Sequence, residues 1–200
     1  PAKPANDEVE AATPIAGDPP ELLSRALANF KVKNYGESRR LLAACARKGH
    51  RDATYHSLSG RVHAAVGEWQ PAITELARAL ELGCSGDQRL VLAEAYTKTG
   101  RPEQATAQLL AYLRTQPNDP RGVMLLSEIL RRSGRLTEAA RLVNEALIVN
   151  PDRSDLLTAH FDIALASPNE ETAFQTALKV LKGSEVDAEL ARSLVTRALD

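Results

Sequence analysis

The 200-residue chain is poor in the residues that carry chemistry: two cysteines, one methionine, one tryptophan, four tyrosines and three phenylalanines. Cys45 and Cys84 form no CxxC pair, so neither a disulfide framework nor a thiolate zinc cage is expected, and both thiols are read as buried packing groups. Charge of one sign is missing as well. Lys and Arg number 25 against 26 Asp and Glu, which excludes the broad positive field of a nucleic-acid binder and predicts no nucleic-acid partner. No apolar run approaches the ~20 residues that span a bilayer, so no direct membrane insertion is expected. What the chain does have is 44% hydrophobic residues, enough for the core of one domain or at most two.

The first stretch, "PAKPANDEVEAATPIAGDPP", holds five of the eleven prolines and has no initiator Met and no apolar signal segment. Residues 1–19 are therefore expected to be a flexible Pro/Ala-rich linker, with the folded domain over 20–200. Such a start fits a fragment of a longer protein, hung from an upstream anchor or set beside another domain.

From Glu21 onward the pattern has helical period. "ELLSRALANF", "GESRRLLAACARK", "QPAITELARALEL", "EQATAQLLAYL" and "TEAARLVNEALIV" each repeat apolar residues at i, i+3, i+4 and i+7, and no segment alternates as a strand does. The fold class is all-α. Three segments also superpose on one another with Gly67, Gly100 and Gly134 in register, 33 and 34 residues apart. Small residues recur five positions later (Ala72, Ala105, Ala139) and twelve later (Ala79, Tyr112, Ala146). Cys84, Pro117 and Pro151 follow at a common offset, and large apolar residues fill Leu76, Leu109 and Val143, then Leu80, Leu113 and Leu147.

This pattern resembles the tetratricopeptide repeat, a helix-turn-helix unit of 34 residues. Residues 86–119 carry it in Leu92, Ala93, Tyr96, Gly100, Ala105, Leu109 and Pro117. Residues 120–153 carry it in Leu126, Ser127, Leu130, Gly134, Leu136, Ala139, Ala146 and Pro151. Residues 53–85 carry it in Gly60, Gly67, Trp69, Ala72, Leu76 and Ala79, with Ser59 and His63 where larger residues are usual. The flanking units, 19–52 and 154–187, are looser: Lys33, Ser38 and Cys45 replace the glycine and alanines of the first. A closing helix is expected over 185–199. The resemblance implies a right-handed α-solenoid of about five hairpins plus a C-terminal capping helix.

Physical reasons for the small residues follow from that register. Gly67 is expected to end a helix in the left-handed conformation, Ala72 and Ala79 to let helices approach closely, and Gly60, inside a helix, to serve packing at the expense of propensity.

In the family the first helix of each repeat lines a concave surface that takes a peptide or a partner helix. Carried over by position, the inward residues are Leu23, Leu27 and Phe30; Ser57, Arg61 and Ala64; Leu90, Glu94, Thr97 and Lys98; Met124, Glu128, Arg131 and Arg132; then Thr158 and Asp162. The candidate partner-binding set is Ser57, Arg61, Leu90, Glu94, Thr97, Lys98, Met124, Glu128, Arg131 and Arg132. Its charges alternate in sign, which suits an amphipathic or irregular peptide better than a polyanion. Leu23 and Leu27 stand where the family's carboxylate-clamp subset has lysine and asparagine, so binding of a chaperone tail is not expected.

Catalysis has no candidate. His56 and His63 share a helix and occupy packing positions, where they are read as structural imidazoles. Glu170 and Glu171 sit at a helix start, where they offset the positive end of its dipole. "RRSGRLTEAAR" divides between the groove (Arg131, Arg132), the turn (Arg135) and the second helix (Arg141), with Glu128 and Glu138 lowering its field. No Ser-His-Asp set, phosphate loop, metal cluster or cofactor motif is present, and no enzymatic activity is expected. The reading is an interaction scaffold that binds a peptide or protein in its groove and supports assembly of a larger complex. Alanine- and arginine-rich usage points to a bacterial one of the cell envelope or secretion type, in the periplasm through an upstream anchor or in the cytoplasm. Alternatives are a cytoplasmic secretion chaperone, which would self-associate as a dimer, and the regulatory arm of a larger enzyme.

Overall fold

The computed structural model describes residues 15–167 together with Thr196. Within them the chain forms α1 (Pro19–Lys31), α2 (Tyr35–Arg47), α3 (Ala53–Ala65), α4 (Trp69–Glu81), α5 (Asp87–Lys98), α6 (Pro102–Leu113), α7 (Pro120–Arg132), α8 (Leu136–Val149) and α9 (Ser154–Leu165), with no strand among the described residues. Odd-numbered helices begin at residues 19, 53, 87, 120 and 154, so the 33- to 34-residue spacing of the sequence is the spacing of helical hairpins. The second helix of the fifth unit, the closing helix at 185–199, Glu170 and Glu171 lie outside the described residues, as does the chain before residue 15.

Local chemistry sets the helix ends. Asp18, Asn34 and Asp52 accept the backbone N–H groups of Glu21, Glu37 and Tyr55 and so cap α1, α2 and α3. Within the hairpins the turns share one hydrogen-bond pattern, in which an N–H reaches back five residues: Asn34 to Asn29, Glu68 to His63, Arg101 to Tyr96 and Arg135 to Leu130, each at 2.9 Å. That closure needs a left-handed residue just before the donor, and Gly67, Gly100 and Gly134 supply it at φ of 80, 72 and 73°. In the first hairpin the same station is held by Lys33 at φ 61°, a conformation that strains any residue with a Cβ.

The small residues decide how closely helices pack. Ser38, Ala72, Ala105 and Ala139, the equivalent stations of four hairpins, are all fully buried. Ser38 keeps its hydroxyl satisfied by donating to the Ala26 carbonyl at 2.9 Å. Gly60 lies so near α4 that a Cβ added to it would stand 2.6 Å from Leu76 Cγ and 3.0 Å from the Leu76 backbone nitrogen. Its use is close approach, which accounts for a residue that lowers helix propensity by about 1 kcal/mol. Tyr112 is an exception: it occupies a station held by alanine in the neighbouring hairpins and is nevertheless fully buried. Gly122 on α7 gives it room, since a Cβ there would come within 2.9 Å of Tyr112 Cδ1 and of Leu113 Cδ2.

Packing between hairpins is one-sided. Each odd helix touches the next odd helix, from α1 through α3, α5 and α7 to α9, whereas the even helices touch only their neighbours in sequence among the described residues. A stack whose odd helices close ranks while its even helices stand apart bends toward the odd side, so the odd helices line the inner surface of an α-solenoid. Apolar cores run along it, one around Leu22, Leu41 and Leu58, one around Leu76 and Leu92, and one from Leu90 to Ile163.

Candidate functional site

Two cavities open on the inner surface, with Arg61 in both walls. One, of about 570 Å³, lies between α3, α5 and α7; Arg61, Leu90, Glu94, Thr97, Lys98, Glu128 and Arg132 line it with Asp87, Val91, Arg121 and Leu125. The other, of about 510 Å³, lies between α1 and α3 with Gln88 of α5 at its edge, and Ser57 and Arg61 line it with Leu23, Leu27 and Leu58. Met124 and Arg131 face elsewhere. They border a cleft of about 70 Å³ against Thr158 and Asp162 of α9.

Helical geometry gathers these side chains. Asp87, Leu90, Val91, Glu94, Thr97 and Lys98 follow one face of α5 at steps of three and four, and Arg121, Leu125, Glu128 and Arg132 do so on α7. Asp87, Val91, Arg121 and Leu125 were not singled out from the sequence, although steps of three and four from the residues that were reach them. Ala64 and Leu90 are each only 9% exposed and belong chiefly to the core, Leu90 showing one edge to the larger cavity.

Most of the groove's charges are matched within the protein. Glu128 accepts from Arg131 at 2.8 Å and from Arg132 at 2.6 Å, and the Arg131 bond, then the Arg132 bond, holds its carboxyl below the usual range. Arg121 bridges Asp87 at 2.9 Å, across one repeat, and Asp119 at 2.7 Å. Asp119 also accepts from the buried Tyr112 hydroxyl. The Arg121 bond, with help from Tyr112, holds the Asp119 carboxyl down at about 2. Burial, and then the carboxylate beside it, pushes Tyr112 up to about 12. This cluster ties the end of α6 to the start of α7, with Arg121 and Asp87 in the wall of the larger cavity, a link no sequence pattern announced.

Arg61 and Lys98 differ, having no carboxylate within ion-pair reach among the described residues. The Arg61 guanidinium carbon sits 4.7 Å from the centroid of the Phe30 ring. In the wall of the smaller cavity, Gln88 donates through Nε2 to Ser57 Oγ at 3.0 Å, while its Oε1 is buried with no partner.

The histidines serve packing. His56 Nδ1 lies 2.8 Å from Glu75 Oε2 and His63 Nδ1 2.5 Å from Glu68 Oε2, each binding its helix to the next. Among the described residues no three His, Cys, Asp or Glu side chains converge as metal ligands would. Cys45 is fully buried, with Sγ 3.6 Å from the His50 carbonyl. Cys84, expected to be buried, is half-buried because it lies in the inter-hairpin turn, where Sγ meets the Ala53 carbonyl at 3.5 Å. Burial, then Asp52, pushes both thiols up, which disfavours the reactive thiolate. No helix among the described residues is long and apolar enough to cross a membrane.

Residues 90–154 match the protein-family model of the tetratricopeptide repeat. No curated protein matches the chain. Among solved structures the fold is similar to YrrB, a tetratricopeptide repeat protein with an unusual peptide-binding site, at a TM-score of 0.75 and 18% identity over 90% of this chain and 92% of that one. It is similar also to MamA of Desulfovibrio magneticus, at 0.75 and 20% over 90% and 98%, and to a thermophilic tetratricopeptide repeat protein of Thermus thermophilus, at 0.61 and 18% over 90% and 98%. At such identities the likeness is one of fold. Residues 90–154 thus carry the matched tetratricopeptide repeat, and hairpins of the same length stack on either side of them.

Proposed function

We propose that this chain is a binding module that holds an extended segment of a partner protein along its inner surface, and that it works without chemistry of its own. One observation carries the reading. Cavities of about 510 and 570 Å³, both walled by odd helices, lie side by side with Arg61 in both walls, open to solvent and bordered by apolar, hydroxyl and charged groups together. Such a surface offers a peptide both side-chain contacts and hydrogen bonds. Ser57, Arg61, Leu90, Glu94, Thr97, Lys98, Glu128 and Arg132 are its contact residues, and Met124 and Arg131 extend it toward α9. That YrrB is described as having a peptide-binding site lends support by analogy of fold. Its role is to support assembly of a larger bacterial complex, in keeping with bacterial relatives of the same fold.

A photo-crosslinking amino acid placed at Val91, in the wall of the larger cavity, tests the reading against the same amino acid at Glu145, on the outer helix α8. Covalent adducts with the partner are expected from position 91 and not from position 145. Adducts from position 145 alone would move the binding surface to the outer face.

A further inference from the structure

We infer that the segment held in the groove is bipartite, with a short apolar stretch seated against α1 and α3 and, next to it, an acidic side chain that pairs with Arg61. This rests on the inner surface being the binding site, as proposed above. The two cavities differ in chemistry. The smaller is walled by Leu23, Leu27 and Leu58 with uncharged hydroxyl and amide groups, and apart from Arg61 its ionisable side chains are His50 and Asp52, which lie 3.2 Å apart and face each other. It accepts apolar side chains.

The larger cavity carries four cations and three carboxylates. Arg121 and Arg132 are taken up by Asp87, Asp119 and Glu128. Arg61 and Lys98 are left as two unmatched cations against one unmatched carboxylate, Glu94, among the described residues. The surplus is positive, and of the two unmatched cations Arg61 is the one that borders both cavities. The contact with Phe30, 4.7 Å from Cζ to the ring centroid, anchors the Arg61 head while no carboxylate among the described residues takes up its N–H groups, so its planar fork can receive a carboxylate through two hydrogen bonds. Arg61 borders both cavities, so an acid bound to it adjoins whatever fills the apolar one.

The test is selection of a random dodecapeptide library on the full chain, followed by fluorescence anisotropy of the best-enriched peptide. Enriched peptides are expected to share apolar residues with Asp or Glu within a few positions of them. Arg61→Ala should weaken the best of them about ten-fold or more, the usual consequence of removing a hydrogen-bonded charge. Selection on Arg61→Glu should replace the acid by Lys or Arg, and circular dichroism of both variants checks that the helices persist. Peptides that crosslink to position 91 but show no acid preference, or bind Arg61→Glu unchanged, overturn the bipartite inference and leave the groove reading intact. Peptides that crosslink only to position 145 overturn both. Adducts formed at position 91 without peptide, to residues 1–14 or to a second copy of the chain, would make the occupant this protein itself and overturn the inference of a separate partner.

Discussion

Gly60 and Gly67 stand seven residues apart in one hairpin, and the structure gives them opposite reasons for being glycine. Substituting Gly60 by alanine restores helix propensity, a gain of about 1 kcal/mol in a helix interior. Against it stands a new Cβ at 2.6 Å from Leu76 Cγ and 3.0 Å from the Leu76 backbone nitrogen, where carbon atoms rest comfortably at about 3.5–4.0 Å. Leu76 is fully buried and part of the obstruction is backbone, so turning a side chain does not relieve it and α3 must move away from α4. Overpacking of this kind costs about 1–3 kcal/mol, with backbone in the way favouring the upper end. The net expectation for Gly60→Ala is a loss of about 1–2 kcal/mol. At Gly67 nothing lies within 4 Å of an added Cβ, and the whole effect is conformational, at φ 80°. Gly67→Ala should lose about 1 kcal/mol, and Gly67→Asn less, because asparagine tolerates that region. Gly60→Asn should be worse than Gly60→Ala. Urea unfolding followed by circular dichroism and by the fluorescence of Trp69, which packs against this same core, measures all four. A neutral or stabilising Gly60→Ala, or asparagine easing both sites alike, would refute the close approach of α3 and α4.

Three further outcomes follow from named residues. Because the Asp119 carboxyl is held down at about 2, the stability it contributes is full above the ordinary carboxylate range and is lost as pH falls from about 4 toward 2. The gap in unfolding midpoint between the wild type and Asp119→Asn should therefore close over that window, and a gap independent of pH would contradict the Tyr112–Asp119–Arg121 cluster. Tyr112 lies on the other side of neutrality. Raised to about 12, it keeps its proton in the fold while the unfolded chain ionises, so the advantage of the wild type over Tyr112→Phe should shrink between pH 10 and 12. Lys33→Gly relieves the left-handed backbone at φ 61° on an exposed residue and should raise stability by up to about 1 kcal/mol; a thermal midpoint that fails to rise would argue against that turn geometry.

The fold was legible because its determinants are local and periodic. Gly100 and Gly134 mark turns, Ala105 and Ala139 mark close approaches, and their recurrence at fixed offsets reports the hairpin length without any knowledge of contacts. The groove was legible in part, since the first helix of each hairpin is identified by register alone and its inward face by steps of three and four. Asp87 and Arg121 went unnamed because charged residues at helix starts have several uses, and Val91 and Leu125 because apolar residues within a helix also serve the core; only the neighbouring helix shows which applies. Met124 and Arg131 lie one helix face away from the larger cavity, a rotation that periodicity does not resolve.

The sequence by itself determined the helical period, the hairpin length, the turn glycines and the stations that must be small, because each depends on residues within one unit. The tertiary structure decided what depends on residues one repeat apart. Gly122 makes room for Tyr112, Arg121 reaches back to Asp87, and Arg61 lies over Phe30 and stays free of any carboxylate among the described residues. Such pairings follow from how far each hairpin is turned against the next, and that angle is set by side chains meeting across the stack.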